Sequence, residues 1–209
     1  MIKNPTAGVI LAAGESKRFG QPKQLVKLKG KYLIEWVIDA ALNSLLEHLI
    51  LVLGYEYQKI LQALEAKAKQ PRLQVVVNNK FRLGQSRSLR TGLLKVGDAF
   101  PSVMFLLGDQ PMLDAKTIDY MLTQFWQSGK NICVPLLKGK RGNPTIFSRL
   151  FYDQLLEIQG DIGARKIIQR NPDQVLYVAI SDPMCFFDVD SQRDLKNLEA
   201  LFTENAEPT

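Results

Sequence analysis

Histidine and cysteine are almost missing from this chain. Its 209 residues hold one histidine, His48, and two cysteines, Cys133 and Cys185. So small a set excludes the His/Cys zinc clusters. A Ser/His/Asp triad would have to be built on His48, a residue that abuts an apolar run and reads as structural. Both cysteines sit in apolar stretches, Asn131-Ile-Cys-Val-Pro135 and Met184-Cys-Phe-Phe187. There a reduced core thiol of a cytosolic protein is expected, not a disulfide. No apolar run approaches the roughly 20 residues of a membrane-spanning helix. Met1-Ile-Lys-Asn-Pro-Thr6 does not read as a signal peptide. Repeats, low-complexity tracts and linkers are lacking too, so a single cytoplasmic domain is expected over residues 1–203, with a flexible acidic tail at 204–209.

What is present is a chain 46% hydrophobic and 23% charged, ample for one full core. Short apolar runs alternate with amphipathic stretches. Strands are predicted at Gly8–Ala12, Leu49–Leu53, Leu73–Val77, Val103–Leu107, Ile132–Val134, Val175–Ile180 and Phe186–Val189. Helices are predicted at Tyr32–Leu45, Tyr57–Lys69, Ser86–Val96, Asp114–Gln127, Arg149–Leu156 and Gly163–Arg170. A last one runs to Phe202, with Ser191 as N-cap and Asp194 as its N3 partner. Lys138–Pro144 reads as an irregular Gly-rich stretch. Continuous Val/Ile/Leu strands interleaved with helices predict a three-layer α/β, Rossmann-like fold with a mostly parallel twisted sheet. Ligands of such sheets bind beyond the carboxyl ends of the strands. The polar clusters Ala13–Lys23, Asn78–Ser88, Gly108–Pro111 and Asp188–Asp190 all follow predicted strands, so one pocket can gather them.

The net charge of +6 is unevenly placed. Up to Lys31 there are seven basic residues and one acid, Glu15, which accounts for all of it. A nucleic-acid binder would spread basic residues over a broad face. One cationic segment around glycines fits a small polyphosphate instead. In Leu11-Ala-Ala-Gly14-Glu-Ser16-Lys17-Arg18-Phe-Gly20-Gln-Pro-Lys23, Gly14 and Gly20 let backbone N–H groups approach phosphates. Arg18 and Lys23 supply a guanidinium fork and a point charge. The stretch is neither a Walker loop nor a dinucleotide fingerprint.

This stretch resembles the signature L-x-x-G-x-x-x-R-x-G-x-x-K of the MobA-like nucleotidyltransferases, and within them it is most similar to the molybdenum cofactor cytidylyltransferases. The resemblance continues through Gly84-Gln-Ser86-Arg-Ser88-Leu89-Arg-Thr-Gly92, Gly108-Asp-Gln-Pro111, Arg141-Gly-Asn-Pro144, Gly160-Asp-Ile-Gly-Ala-Arg165 and Asp188-Val-Asp190-Ser191. It implies that Leu11, Ala12, Ala13, Gly14, Glu15, Ser16, Arg18, Gly20, Lys23, Asn79, Gly84, Ser88 and Asp109 bind the nucleotide. It also implies that Gln110, Gly142, Asn143, Pro144, Gly163 and Arg165 face a phosphorylated pterin acceptor. Arg18, Lys23 and Asp109 then carry catalysis. The closing motif departs from the family's D-I-D-T-P-E-D at Gln192 and Arg193, which alters the entry to the last helix.

Asp109, directly after an apolar strand, can ligate Mg²⁺, a hard cation that takes carboxylate and phosphate oxygens. Asp188 and Asp190, two residues apart, would point to the same side of a regular strand. Physics leaves both open as second ligand, and the resemblance favours Asp190. The implied reaction is CMP transfer from CTP to molybdenum-molybdopterin, with a molybdenum hydroxylase as candidate recipient of the product. Ala13, where guanylyltransferases of the family carry Gly, crowds a purine by about 1–3 kcal/mol at most. The alternatives are a guanylyl or other transferase acting on a sugar phosphate or methylerythritol phosphate, and a non-catalytic nucleotide-binding or cofactor-delivery protein.

Overall fold

The computed structural model describes residues 4–16, 19–160 and 163–204. Strand β1 (Thr6–Ala12) leads to a small ribbon, β2 (Lys27–Leu28) and β3 (Lys31–Tyr32), and then to α1 (Leu33–Leu42). There follow β4 (His48–Leu53), α2 (Tyr57–Ala63), α3 (Glu65–Ala68), β5 (Leu73–Val77), α4 (Gln85–Val96), β6 (Ser102–Leu107) and α5 (Ala115–Ser128). The second half holds β7 (Ile132–Leu137), β8 (Lys140–Arg141), β9 (Thr145–Ser148), α6 (Tyr152–Glu157), α7 (Arg165–Arg170), β10 (Val175–Ala179) and α8 (Gln192–Glu204).

One sheet runs in the order β10-β7-β9-β6-β1-β4-β5, with β8 paired to β7. β1 lies at its centre, parallel to β4 and β6. The β4 run His-Leu-Ile-Leu-Val-Leu is apolar at nearly every position because both of its faces are covered. Its alternate residues divide between two cores: Leu49, Leu51 and Leu53 pack with α1 and α5, while Ile50 and Val52 pack with α4, α6 and α7. This is the expected three-layer α/β architecture. Among the described residues, no helix is long and apolar enough to cross a membrane. Cys133 and Cys185 are both buried and unpaired as disulfides, and burial pushes the Cys133 thiol up to about 12. His48 opens β4 and its ring stacks on Phe100 at 6.0 Å.

A third, smaller cluster positions the functional segment. Val26, Leu28 and Leu33 from the ribbon and α1 meet Val189, Leu195 and Leu198, with Phe187 and Trp36 packed against them. It clamps the chain after β1 to the chain before α8. Ser191 caps α8 as expected: its Oγ accepts from the Asp194 N–H at 3.3 Å, and the Asp194 carboxylate accepts from the Ser191 hydroxyl at 2.7 Å.

Three expectations need correction. Phe186–Val189 is not a strand. Asp182 accepts from the Met184 N–H and starts a single 3₁₀ turn, Pro183–Phe186, since proline cannot donate to a ladder. Tyr57–Lys69 is two helices, broken at Leu64, a residue 1% exposed. Lys138–Pro144 contains β8, reversed through Lys138 and Gly139, both at positive φ. One strand the sequence reading did not include, β9, is inserted antiparallel between β6 and β7, and the sheet remains mostly parallel.

Candidate functional site

The site starts where β1 runs out. Its last carbonyls are claimed by neighbours: Leu11 O accepts from the Gly108 N–H at 3.0 Å, and Ala13 O from the Tyr55 N–H at 3.2 Å. Gln24, only 2% exposed, donates from Nε2 to Ala12 O at 2.7 Å and weakly to Gly14 O at 3.5 Å. That side chain ties the single 3₁₀ turn Lys23–Leu25 to the glycine loop. Lys23 is thereby set beside the ends of β1 and β6.

There it meets two carboxylates from distant parts of the chain. Lys23 Nζ donates to Asp109 Oδ2 at 2.5 Å and to Asp190 Oδ1 at 2.9 Å. Burial alone would lower the Lys23 ammonium; the charge and hydrogen bonds of Asp109 and Asp190 outweigh this and hold it above the usual lysine value. Asp109 sits in the tight turn after β6. Gly108 is required there, since a Cβ would come within 2.9 Å of Ala12 Cβ and 3.0 Å of Ile34. The Val189 N–H donates to Asp109 O at 2.9 Å, which brings the segment before α8 to this turn. Asp190 therefore arrives at the sheet edge, though not on the strand expected for it. Asp188 behaves differently: it accepts from Gln110 Nε2 at 2.9 Å. Burial first, then the Asp109 charge, raises its carboxyl.

Two clefts open along this edge. Leu11, Ala12, Ala13, Gly14, Glu15, Lys23, Gly84, Ser88 and Asp109 all line the first. Gly142, Asn143, Gly163 and Arg165 line the second, over β7 and β9. The clefts share Leu11, Gln85 and Leu107, so they meet above β1 and β6. Of the other expected residues, Arg18 lies outside the described residues. Ser16 and Gly20 shape the loop at φ 53° and 67° without lining either cleft. Asn79 is exposed and outside both. Its neighbour Asn78 is buried instead and donates to Ser88 Oγ at 3.0 Å. Gln110 and Pro144 are buried and line neither cleft. Gln110 acts on Asp188 rather than on the acceptor cleft.

Sequence reasoning missed Gln24, Phe81 and Arg82 in the first cleft, while Gln85 and Arg141, which also line the clefts, lie inside the recognised motifs without having been singled out. The pair Arg82–Glu15, Nε to Oε1 at 2.7 Å, joins the loops after β5 and β1. For Gln24, Phe81 and Arg82 the available signal was position beside a recognised motif. Gly142 has a packing reason to be glycine: a Cβ there would fall 2.0 Å from the Phe186 ring.

Which oxygens could hold a metal follows from the donor set. Asp109 Oδ1 is buried without a hydrogen-bond partner, an arrangement that costs free energy unless a cation or water completes it. Among the described residues no group of three His, Cys, Asp or Glu is assembled for a metal. Two carboxylates alone suit a hard ion that takes its other ligands from phosphates and water.

Residues 8–175 match the MobA-like NTP transferase domain. Over 200 residues the chain is 28% identical to a probable molybdenum cofactor guanylyltransferase of Thermococcus sibiricus, covering 95% of this chain and 92% of that one. The crystal structure of a Mycobacterium tuberculosis Rv0371c homologue from Mycobacterium sp. strain JC1 superposes with a TM-score of 0.81 at 27% identity, covering 96% of this chain and 98% of that one. Rv0371c itself, in complex with manganese, gives 0.74 at 27% identity, covering 94% and 98%. With the family match and the fold in agreement, the chain belongs to the MobA-like NTP transferase family and is a nucleotidyltransferase.

Proposed function

We propose that this protein transfers CMP from CTP to the terminal phosphate of molybdenum-molybdopterin, giving the cytosine dinucleotide cofactor and pyrophosphate. The observation that carries the reading is the meeting of Lys23, Asp109 and Asp190 beside the glycine loop, where two clefts join. The first cleft takes the nucleotide, with its phosphates over Gly14 and beside Lys23, and Arg18 is assigned to the same phosphates on the resemblance of its motif alone. The second, in the C-terminal half, takes the acceptor, with Asn143 for a heterocycle edge and Arg165 and Arg141 for anionic groups.

An oxygen of the acceptor phosphate attacks the α-phosphorus while the bond to the bridging oxygen of the β-phosphate breaks. That nucleophile is already ionised, so no general base is needed. The chain's residues must align the two phosphates in line and offset the repulsion between them. The relative crystallised with manganese supports a divalent ion, and the unpartnered Asp109 Oδ1 with Asp190 would hold Mg²⁺ here. When bound, that ion would neutralise charge on the triphosphate. Asp188, engaged by Gln110, then stands behind the pair rather than in it.

Cytidine is preferred on Ala13, which lines the first cleft at the position where the guanylyltransferases it resembles carry Gly. The Ala13 methyl would crowd a purine base, by a contact whose effect on discrimination is modest, about 1–3 kcal/mol. A guanylyl transfer is the second reading, favoured by the Thermococcus relative. Purified protein with CTP or GTP and Mg²⁺, with and without molybdenum-molybdopterin, decides between them by pyrophosphate release and product mass. Faster turnover with GTP would reject the cytidine assignment, and no release with any nucleotide would reject catalysis.

A further inference from the structure

Lys23 stands in the place where the proposed reaction needs a cation. Its ammonium lies between Asp109 and Asp190, 2.5 and 2.9 Å from their oxygens, and its side chain is only 17% exposed. Two carboxylates held this close repel one another unless a positive charge lies between them. In the structure that charge is the lysine. A magnesium ion sits about 2.0–2.1 Å from its carboxylate oxygens. The ammonium takes Asp109 Oδ2 and Asp190 Oδ1 and leaves Asp109 Oδ1 without a partner, so it opposes a metal ion at that oxygen by its positive charge a few ångströms away.

The pinning is deliberate in its geometry. Pro22 precedes the 3₁₀ turn that carries Lys23, and the buried Gln24 amide fixes that turn to Ala12 O. The lysine stem thus leaves the first cleft's wall at a set point, with the glycine loop on one side and the carboxylates on the other. A triphosphate laid on that loop offers the ammonium strong alternative acceptors. Nothing else among the described residues supplies a cation bonded to both acids.

We propose that Lys23 is an internal stand-in for the metal: it closes the Asp109–Asp190 pair against free divalent ions and releases it only when nucleotide phosphates draw the ammonium away. Metal and nucleotide therefore enter together, and the empty enzyme does not hold metal. This rests on the assignment of Asp109 and Asp190 made above. It adds that the same lysine serves two sets of acceptors in turn.

Manganese binding to the nucleotide-free, full-length protein tests this, read as loss of the free-ion electron paramagnetic resonance signal. Wild type is expected to bind weakly, and Lys23→Met at least about fivefold more tightly. Lys23→Arg, which keeps the charge, is expected to stay weak. Lys27→Met removes a nearby surface charge and should behave as wild type. An unchanged Lys23→Met overturns the inference, and so does equal tightening in Lys27→Met, which would reduce the effect to net charge. A Lys23→Met/Asp109→Asn protein as tight as Lys23→Met would instead overturn the metal assignment itself. Should Lys23→Met fail to fold, wild-type crystals soaked in manganese without nucleotide give the second reading. Bound metal with Lys23 withdrawn supports the inference, and metal at the pair with Lys23 still in place rejects it.

Discussion

Lys23 and the lysines of the β2–β3 ribbon come from one nine-residue stretch, yet the fold uses them in opposite ways. Lys23 turns inward, is mostly buried, and holds two carboxylates. Lys27 and Lys29 lie on the surface over the Tyr32 and Phe202 rings, at 5.2 and 5.9 Å. Lys31 rests over Trp36 at 4.4 Å and pairs with Asp39, which also takes Lys67. Charges in a low-dielectric cleft interact far more strongly than the same charges in water. The local concentration of lysine is thus one sequence feature with two physical meanings, a site and a surface.

The sharpest way to break this comparison is to remove each kind of charge in turn. Asp109→Asn and Lys23→Ala should each lower the rate of pyrophosphate release by about 10²–10³-fold, the scale of a lost electrostatic contact at a reacting phosphate. Lys27→Ala and Lys29→Ala should leave it within the scatter of wild type. Comparable losses in the ribbon variants would mean that the basic segment works as a whole and the division is wrong.

Smaller effects sharpen the contrast. Gln24→Leu preserves volume but strands the Ala12 carbonyl, so about 1–3 kcal/mol of stability should be lost. Because the same amide sets the Lys23 turn, KM for the nucleotide should rise as well; urea unfolding and steady-state kinetics separate the two. A stability loss with unchanged kinetics would make Gln24 purely structural. Gly142→Ala forces a methyl against Phe186 and should cost a similar ~1–3 kcal/mol by overpacking. Its kinetic effect should fall on the acceptor, since this residue lines the second cleft.

The mildest change belongs to the surface side. Asp39→Asn removes the partner of Lys31 and Lys67 and should cost about 1 kcal/mol or less, as partly exposed pairs do. Burial alone would raise the Asp39 carboxyl, but the bonds from Lys31 and Lys67 more than reverse this and hold it below the usual aspartate value. A carboxyl lowered on folding contributes stability that is present above the unfolded value and lost as pH falls through the folded one. The deficit of the variant should therefore be full at neutral pH and fade below about pH 4. Thermal unfolding across that range checks it, and a deficit independent of pH would assign the effect to packing.

Much of the fold was legible beforehand because its central strands, buried on both faces, carry long apolar runs that nothing else in the chain imitates. The runs at β1, β4 and β6 are of this kind, and so are the capped helices α5 and α8. The second half was harder to read. Phe186–Val189 has the composition of a strand but follows a capping aspartate and a proline, and short apolar runs do not declare their period. β9 is four residues long and draws its stability from the strands on either side, so its local sequence carries little signal. Asn78 and Asn79 are neighbours with equal chemistry; only the turn after β5 decides which one faces Ser88.

By itself the sequence determined the layer order, the strand ends that carry polar residues and the presence of a cationic glycine loop, because these depend on hydrophobic pattern and on backbone freedom. Only the tertiary structure decided which cation meets which acid. Lys23 and Asp109 are 86 residues apart and Lys23 and Asp190 are 167, and no local rule spans such distances. They come together because β1 and β6 are neighbours in the sheet and a third apolar cluster folds the segment before α8 back against both.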